Sequence, residues 1–174
     1  VTRERIIKME NQQERLRDIG WLCGIIDGEG TVTMTFHARK GKQPLIRPVI
    51  TIINTDIQII NKIIEILKLL EIPFWVNEKE ATEKWKKRYR IEVSGIRRVM
   101  KFLPILIENL VGKKEEAILL QEWCSKRYSM IGSKNVYYDE WDVDIMRRIK
   151  LLHGHQDKVE KSLKILRDYM PNAF

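Results

Sequence analysis

The sequence predicts an α+β fold: one antiparallel sheet carrying its helices on a single face. Three observations support this. "TVTMTFHARK" at 31–40 and "LIRPVITII" at 45–53 both alternate with period two around the turn-forming "KGKQP". A second alternating pair follows, "FWVNEKEA" at 74–81 and "KRYRIEVSG" at 87–95, joined by a charged loop at 82–87. Apolar residues at helical spacing precede and follow each pair, so the chain reads helix, hairpin, helix, hairpin, helix, then a helical tail.

The elements follow in order. Residues 3–17 read as a polar helix that continues as an apolar one over 18–27, with glycines closing it near 28–30. In the first strand Val32, Met34 and Phe36 share one face, and Thr31, Thr33, Thr35 and His37 the other. In the second, Ile46, Pro48, Ile50 and Ile52 face in while Arg47, Val49 and Thr51 face out; the proline suggests an edge or an irregular spot. Asp56 is placed to cap "IQIINKIIEILKLLE", and Pro73 lies beyond its end. In the return strand of the second hairpin Tyr89, Ile91 and Val93 face in, and Arg88, Arg90 and Glu92 face out. Further helical patterns cover 95–108, where Pro104 is expected to bend or break the helix, and 113–129. "MIGSKNVYYDEW" reads as a linker before helices at about 142–152 and 156–169. Residues 1–131 are expected to form the core and 132–174 a helical extension packed on it.

Composition narrows the function. The 174 residues suit one domain, and a net charge of +8 favours a polyanionic partner, nucleic acid before membrane surface. No apolar run approaches the roughly 18 residues of a membrane helix, and no secretory pattern opens the sequence, so an intracellular protein is expected, in a prokaryotic cytoplasm or nucleoid or an organelle matrix. Cys23 and Cys124 sit in apolar helical patterns and read as buried free thiols. His37, His153 and His155 have no partners at zinc-site spacing.

The outward sheet face is rich in hydrogen-bond donors. The first strand offers Thr33, Thr35, His37 and Arg39, and the second Arg47 and Thr51. Asn77, Lys79, Arg88 and Arg90 come from the second hairpin, and the connecting loops add Lys40, Lys42, Lys84, Lys86 and Lys87. A ten-residue strand spans about 33 Å, the length of about ten steps of a duplex at about 3.4 Å each. Such strands can follow a major groove, side chains on base edges and lysines on phosphates. The aromatic residues form no stacking ladder of the kind single-strand binders use.

"WLCGIIDGEG" at 21–30 poses the sharpest question. Gly20, Gly24 and Gly28 recur every fourth residue, each costing a helix about 1 kcal/mol relative to alanine, and Asp27 and Glu29 follow at once. Small residues at this spacing make a flat stripe on which another helix can pack closely. Two residues apart on a continuous helix, Asp27 and Glu29 would lie about 200° apart, so each acid needs a separate task.

"LCGIIDGEG", Leu22–Gly30, resembles the nine-residue motif that names the LAGLIDADG homing endonucleases, with cysteine, isoleucine, glycine and glutamate at four positions where the motif has other residues. Followed by two α-β-β units, the resemblance covers roughly residues 18–130. It implies the LAGLIDADG fold: an αββαββα core, a saddle-shaped antiparallel sheet and C-terminal helices. It implies a metal-dependent DNA endonuclease in which the motif helix forms the subunit interface, here Gly20, Trp21, Gly24, Ile25, Asp27 and Gly28. Glu29 matches the acid that binds divalent metal beside the scissile phosphate, with the Gly28 carbonyl as a second contact. Asp27 matches the acid that caps or braces the partner helix. Asn54 and Gln58 correspond to polar residues that order water, and Lys113, or its neighbour Lys114, to a lysine that offsets phosphate charge. The implied cofactor is magnesium (Mg2+), with manganese or calcium substituting in binding; no small-molecule cofactor is implied.

Only one motif copy is present, which implies a homodimer of net charge about +16, twice that of one chain, on a nearly palindromic duplex. Intron or intein association follows from the resemblance. The same resemblance admits an intron maturase that binds structured RNA, or a non-cleaving DNA-binding regulator using Arg147, Arg148, Lys150, Lys158, Lys161 and Lys164 of the tail.

Overall fold

In the computed structural model, residues 3–39, 42–132 and 137–154 are described, with residues 160–161, 163–164 and 167–168 beyond them. The elements run α1 (Arg3–Glu29), β1 (Gly30–Arg39), β2 (Lys42–Asn54), α2 (Ile57–Leu69), β3 (Trp75–Lys79), β4 (Arg88–Ser94), α3 (Ile96–Asn109), α4 (Lys114–Ser129) and α5 (Glu140–Leu152). The four strands form one antiparallel sheet in the order β1-β2-β4-β3, so the two hairpins meet along β2 and β4. This is the mixed α+β architecture the alternation predicts.

The inner sheet face supplies Val32, Met34, Ile50, Ile52, Ile91 and Val93 to a core completed by the helices. Leu22, Cys23 and Ile26 of α1 insert there, with Ile60, Ile63, Ile66 and Leu67 of α2 and Val99, Phe102, Leu103 and Leu106 of α3. Trp123 and Cys124 of α4 and Val143, Ile145, Met146 and Ile149 of α5 join the same cluster. Both cysteines are buried and free, and burial pushes their thiols up to about 11 and about 12.

α1 stays helical through Gly28 and ends at Glu29, within the stretch 28–30 where the glycines are expected to close it. The three glycines together cost about 3 kcal/mol, but fully burying Leu22 and Ile26 contributes about 1.5–3 kcal/mol each, so packing outweighs propensity. Pro104 likewise leaves α3 unbroken, because the core face of Val99, Phe102, Leu103 and Leu106 holds the helix on both sides of it. At Asp139 a reciprocal capping box with Asp142 starts α5 two residues earlier than its apolar pattern suggests.

Pro48 sits in a central strand, at the point where the pairing with β4 stops. That pairing begins at Val49, opposite Ser94. A residue's N–H and C=O point to the same side of a strand; the Pro48 carbonyl accepts from the Gly95 N–H at 3.1 Å, so its missing donor also faces the side β4 has left. One register step back, the Ile46 N–H on that side donates to the Tyr138 hydroxyl at 3.0 Å. The linker tyrosine thus covers an edge that β4 leaves bare.

Gly30, at the junction of α1 and β1, has a steric reason to be glycine. A Cβ there would lie 2.7 Å from the Ile26 carbonyl oxygen and 2.8 Å from the Ile26 Cα. Gly30→Ala is expected to cost about 1–3 kcal/mol through backbone displacement, read as a thermal midpoint lower by several degrees; an unchanged midpoint would mean the junction is looser than this packing requires.

Candidate functional site

Because α1 holds its helical phase through Glu29, the two acids diverge. The Asp27 carboxylate turns toward the α3–α4 connection and accepts the N–H groups of Val111 and Lys113, each at 2.9 Å. The Lys113 ammonium returns the contact, donating to the Ile26 carbonyl at 3.0 Å and to the Asp27 carbonyl. It thereby satisfies carbonyls that the end of a helix leaves without partners. Within the single chain Asp27 thus braces the α3–α4 connection, and the amine of Lys113 is held at the end of α1, because the turn at 110–113 lies directly against that end. Lys114 is exposed at the start of α4.

Partial burial alone would raise the Asp27 carboxyl. The backbone donors of Val111, Lys113 and Gly112, with the Lys113 charge, outweigh that and hold it below the usual carboxylate value.

Glu29 points to the end of β2. Its Oε2 accepts from the Asn54 side-chain amide at 2.5 Å. The Asn54 orientation is fixed by its other end, where Oδ1 accepts from the Asp56 N–H at 2.8 Å. Asp56 in turn caps α2 by accepting from the Gln58 N–H at 2.8 Å. A continuous chain of hydrogen bonds therefore runs from the α2 N-terminus to the Glu29 carboxylate. Gln58 joins through its backbone; its side chain is exposed and does not line the recess beside Glu29.

That recess, open and of about 490 Å3, is walled by Ile53, Asn54 and Thr55 from the end of β2, by Arg88 from β4, and by Lys84, Trp85 and Lys86 from the β3–β4 loop. Trp85 is the residue that reading by strand alternation missed. The available signal was an aromatic between lysines in "EKWKK".

On the outer sheet face, His37, Arg39, Asn77, Lys79, Arg88 and Arg90 are exposed, and Thr33, Thr35 and Arg47 half-buried. The Thr35 hydroxyl donates to the Arg47 carbonyl at 3.3 Å and lies 3.3 Å from the His37 ring nitrogen Nε2. Glu92 joins Arg47 at 3.2 Å through one oxygen and Arg90 at 3.0 Å through the other. Reaching Glu92 takes the Arg47 side chain along its strand over Val49. Val49 and Thr51 therefore face outward, as the alternation has it, yet are 1% and 8% exposed; Thr51 is covered rather than presented. Lys87 is held by Glu78 at 2.9 Å and Glu80 at 3.1 Å, whose hydrogen bonds push its ammonium pKa upward. Lys40 and the side chain of Lys42 lie outside the described residues, as do His155 and Lys158.

The glycine stripe is uncovered. Gly20, Gly24 and Gly28 are exposed, a Cβ at any of them meets nothing within 4 Å, and Trp21 beside them is 37% exposed. No described helix is long and apolar enough to cross a membrane.

No protein-family model matches this sequence, and comparison with curated proteins gives no significant match. Solved structures do match in fold. The homing endonuclease I-CvuI, in complex with its target in 2 mM calcium, matches with a TM-score of 0.57 at 20% identity over 85% of this chain and 82% of its own. The archaeal intron-encoded homing endonuclease I-Vdi141I, complexed with DNA, matches with a TM-score of 0.61 at 15% identity over 80% and 85%. The LAGLIDADG homing endonuclease I-GzeII, with its DNA target, matches with a TM-score of 0.55 at 16% identity over 77% of this chain but 43% of its own.

The chain has the LAGLIDADG homing-endonuclease fold.

Within that fold, the donors around Glu29 fit one kind of metal site. Among the described residues no three histidine, cysteine, aspartate or glutamate side chains converge. A lone carboxylate in an open recess fits magnesium, which keeps several waters and takes one or two carboxylates together with substrate phosphate. The Asn54 amide occupies Oε2 and orients the carboxylate, the usual part of an outer-sphere partner.

A carboxyl held low in the fold contributes stability that is complete above its unfolded value, 3.8, and is lost as pH falls through the lower folded value. Asp27→Asn is therefore expected to lower stability at pH 7 by roughly 1–3 kcal/mol. Its deficit relative to wild type should shrink below pH 3.8. Urea unfolding from pH 7 to pH 2.5 measures this, and a deficit constant across that range would contradict it.

Proposed function

We propose that this chain is one subunit of a homodimeric, site-specific DNA endonuclease that hydrolyses both strands of a long, nearly palindromic duplex in a metal-dependent reaction, and that it is associated with an intron or intein. The observation that carries the proposal is the Glu29 carboxylate held by Asn54 at the rim of a donor-rich sheet face. The fold supports DNA as the partner, since I-CvuI, I-Vdi141I and I-GzeII are all described in complex with DNA. A dimer accords with the uncovered glycine stripe. It also accords with the lengths matched: this unit spans most of I-Vdi141I but under half of I-GzeII, as expected if two such units serve one DNA site.

Glu29 and the Gly28 carbonyl are the groups that would hold magnesium, an ion that polarises a phosphate and acidifies water. The chain's own residues do the rest. Asn54 fixes the carboxylate, and Arg88 and Lys86 bring positive charge to the recess. Lys113 acts as a positioning residue by fixing the helix end from which Glu29 projects. His37, Asn77, Lys79 and Arg88 are exposed on the face proposed to read base edges and grip phosphates.

Cleavage of a randomised duplex pool in magnesium tests the reading. Wild type is expected to release double-strand breaks at a recoverable site, Glu29→Gln to lose cleavage, and Asn54→Ala to lose about 10- to 100-fold as outer-sphere partners do. A Glu29→Gln protein cutting at the wild-type rate would overturn the assignment.

Gly24→Leu tests the interface, because the side chain enters space that is open in the single chain. It is expected to leave the fold intact, shift sedimentation from dimer to monomer and reduce cleavage in step. A dimer that persists and cuts normally would sink the interface assignment.

A further inference from the structure

The indole of Trp85 lies outside the core. It is 68% exposed, although a tryptophan is among the side chains that gain most from burial. Three features nevertheless set the backbone that carries it. Thr82 and Trp85 exchange backbone hydrogen bonds, Thr82 N–H to the Trp85 carbonyl at 2.8 Å and Trp85 N–H to the Thr82 carbonyl at 3.3 Å, which closes a four-residue turn. The Thr82 hydroxyl accepts from the same Trp85 N–H at 3.2 Å. The loop's base is pinned where Lys87 bridges Glu78 and Glu80. The turn thus presents an unburied indole, with Lys84 and Lys86 on either side of it in sequence, in the recess that holds Glu29. Fixing the backbone that carries the group before it binds removes part of the ordering cost of using it.

Resting on the reading of Glu29 as the cleavage site, we propose that Trp85 is a DNA-contacting residue that stacks on a partly unstacked base beside the bond to be broken, while Lys84 and Lys86 take the flanking phosphates. An aromatic face binds any base, and a bulky apolar group at a base step favours steps that unstack easily, such as TA and CA. Trp85 then selects sites by the deformability of the central steps rather than by base-edge hydrogen bonds. The loop's lysines supply charge where the backbone is bent.

The test uses the full chain with duplexes selected for binding from a randomised pool in calcium, so that recovery does not depend on cleavage. 2-Aminopurine is placed at successive central positions. With wild type, fluorescence is expected to change on binding at one or two adjacent positions. Trp85→Ala should abolish that change and slow single-turnover cleavage in magnesium about tenfold or more, and Trp85→Phe should restore part of both. A fluorescence change surviving in Trp85→Ala overturns the proposal. So does a Trp85→Ala protein that has turned monomeric, which would place the indole in a subunit interface. A normal Trp85-dependent fluorescence change with no cleavage by wild type would instead sink the endonuclease reading and leave this contact standing.

Discussion

The site depends on a reciprocal clamp at the end of α1. The Asp27 carboxylate takes N–H groups of the turn before α4, and Lys113 from that turn takes carbonyls of α1. Each segment supplies what the other's end lacks, so a helix weakened by three glycines keeps its phase to its last residue. That phase decides everything downstream. At about 100° per residue, holding Asp27 against the α4 turn directs Glu29 to the opposite side, toward the end of β2, the start of β4 and the β3–β4 loop. Had the helix frayed at Gly28, Glu29 would have had no direction set by α1.

Elements with strong periodicity were legible in the sequence, and elements set by contacts between distant residues were not. The alternation of Val32 and Met34, and of Ile91 and Val93, gave both hairpins, because period two records a sheet with one buried face. The helical end near Glu29 was legible in its glycines, whereas the burial of Leu22 and Ile26 that holds the helix up to that point is tertiary. Pro48 read as a sign of an edge for a sound reason, the missing donor, but the sequence could not say that β4 would stop at that residue.

At the site, Glu29 and Asn54 were singled out through the motif and its downstream strand, and the structure brings them together. The intrachain contacts of Asp27 and Lys113 were not legible: which partner a carboxylate or an amine finds within the chain depends on how the turn at 110–113 returns to α1, some 85 residues away in sequence. Thr51 shows the same limit from another side. Alternation gave its face correctly, but not its burial beside Glu92, the residue opposite it on β4. Trp85 escaped notice because it lies in a loop, where no periodicity marks a side chain as facing anything.

The Arg47–Glu92–Arg90 contact bears on how tightly this face holds a polyanion in salt. Ions condensed on a duplex are displaced only by charges that come to rest on phosphates. The single negative charge of Glu92 offsets one of the two guanidiniums, so the cluster displaces fewer ions than two free arginines would, unless its arginines abandon Glu92. The affinity of this surface will therefore fall less steeply with ionic strength than a census of its basic residues implies, and a larger share of its grip must come from terms that added salt does not erode.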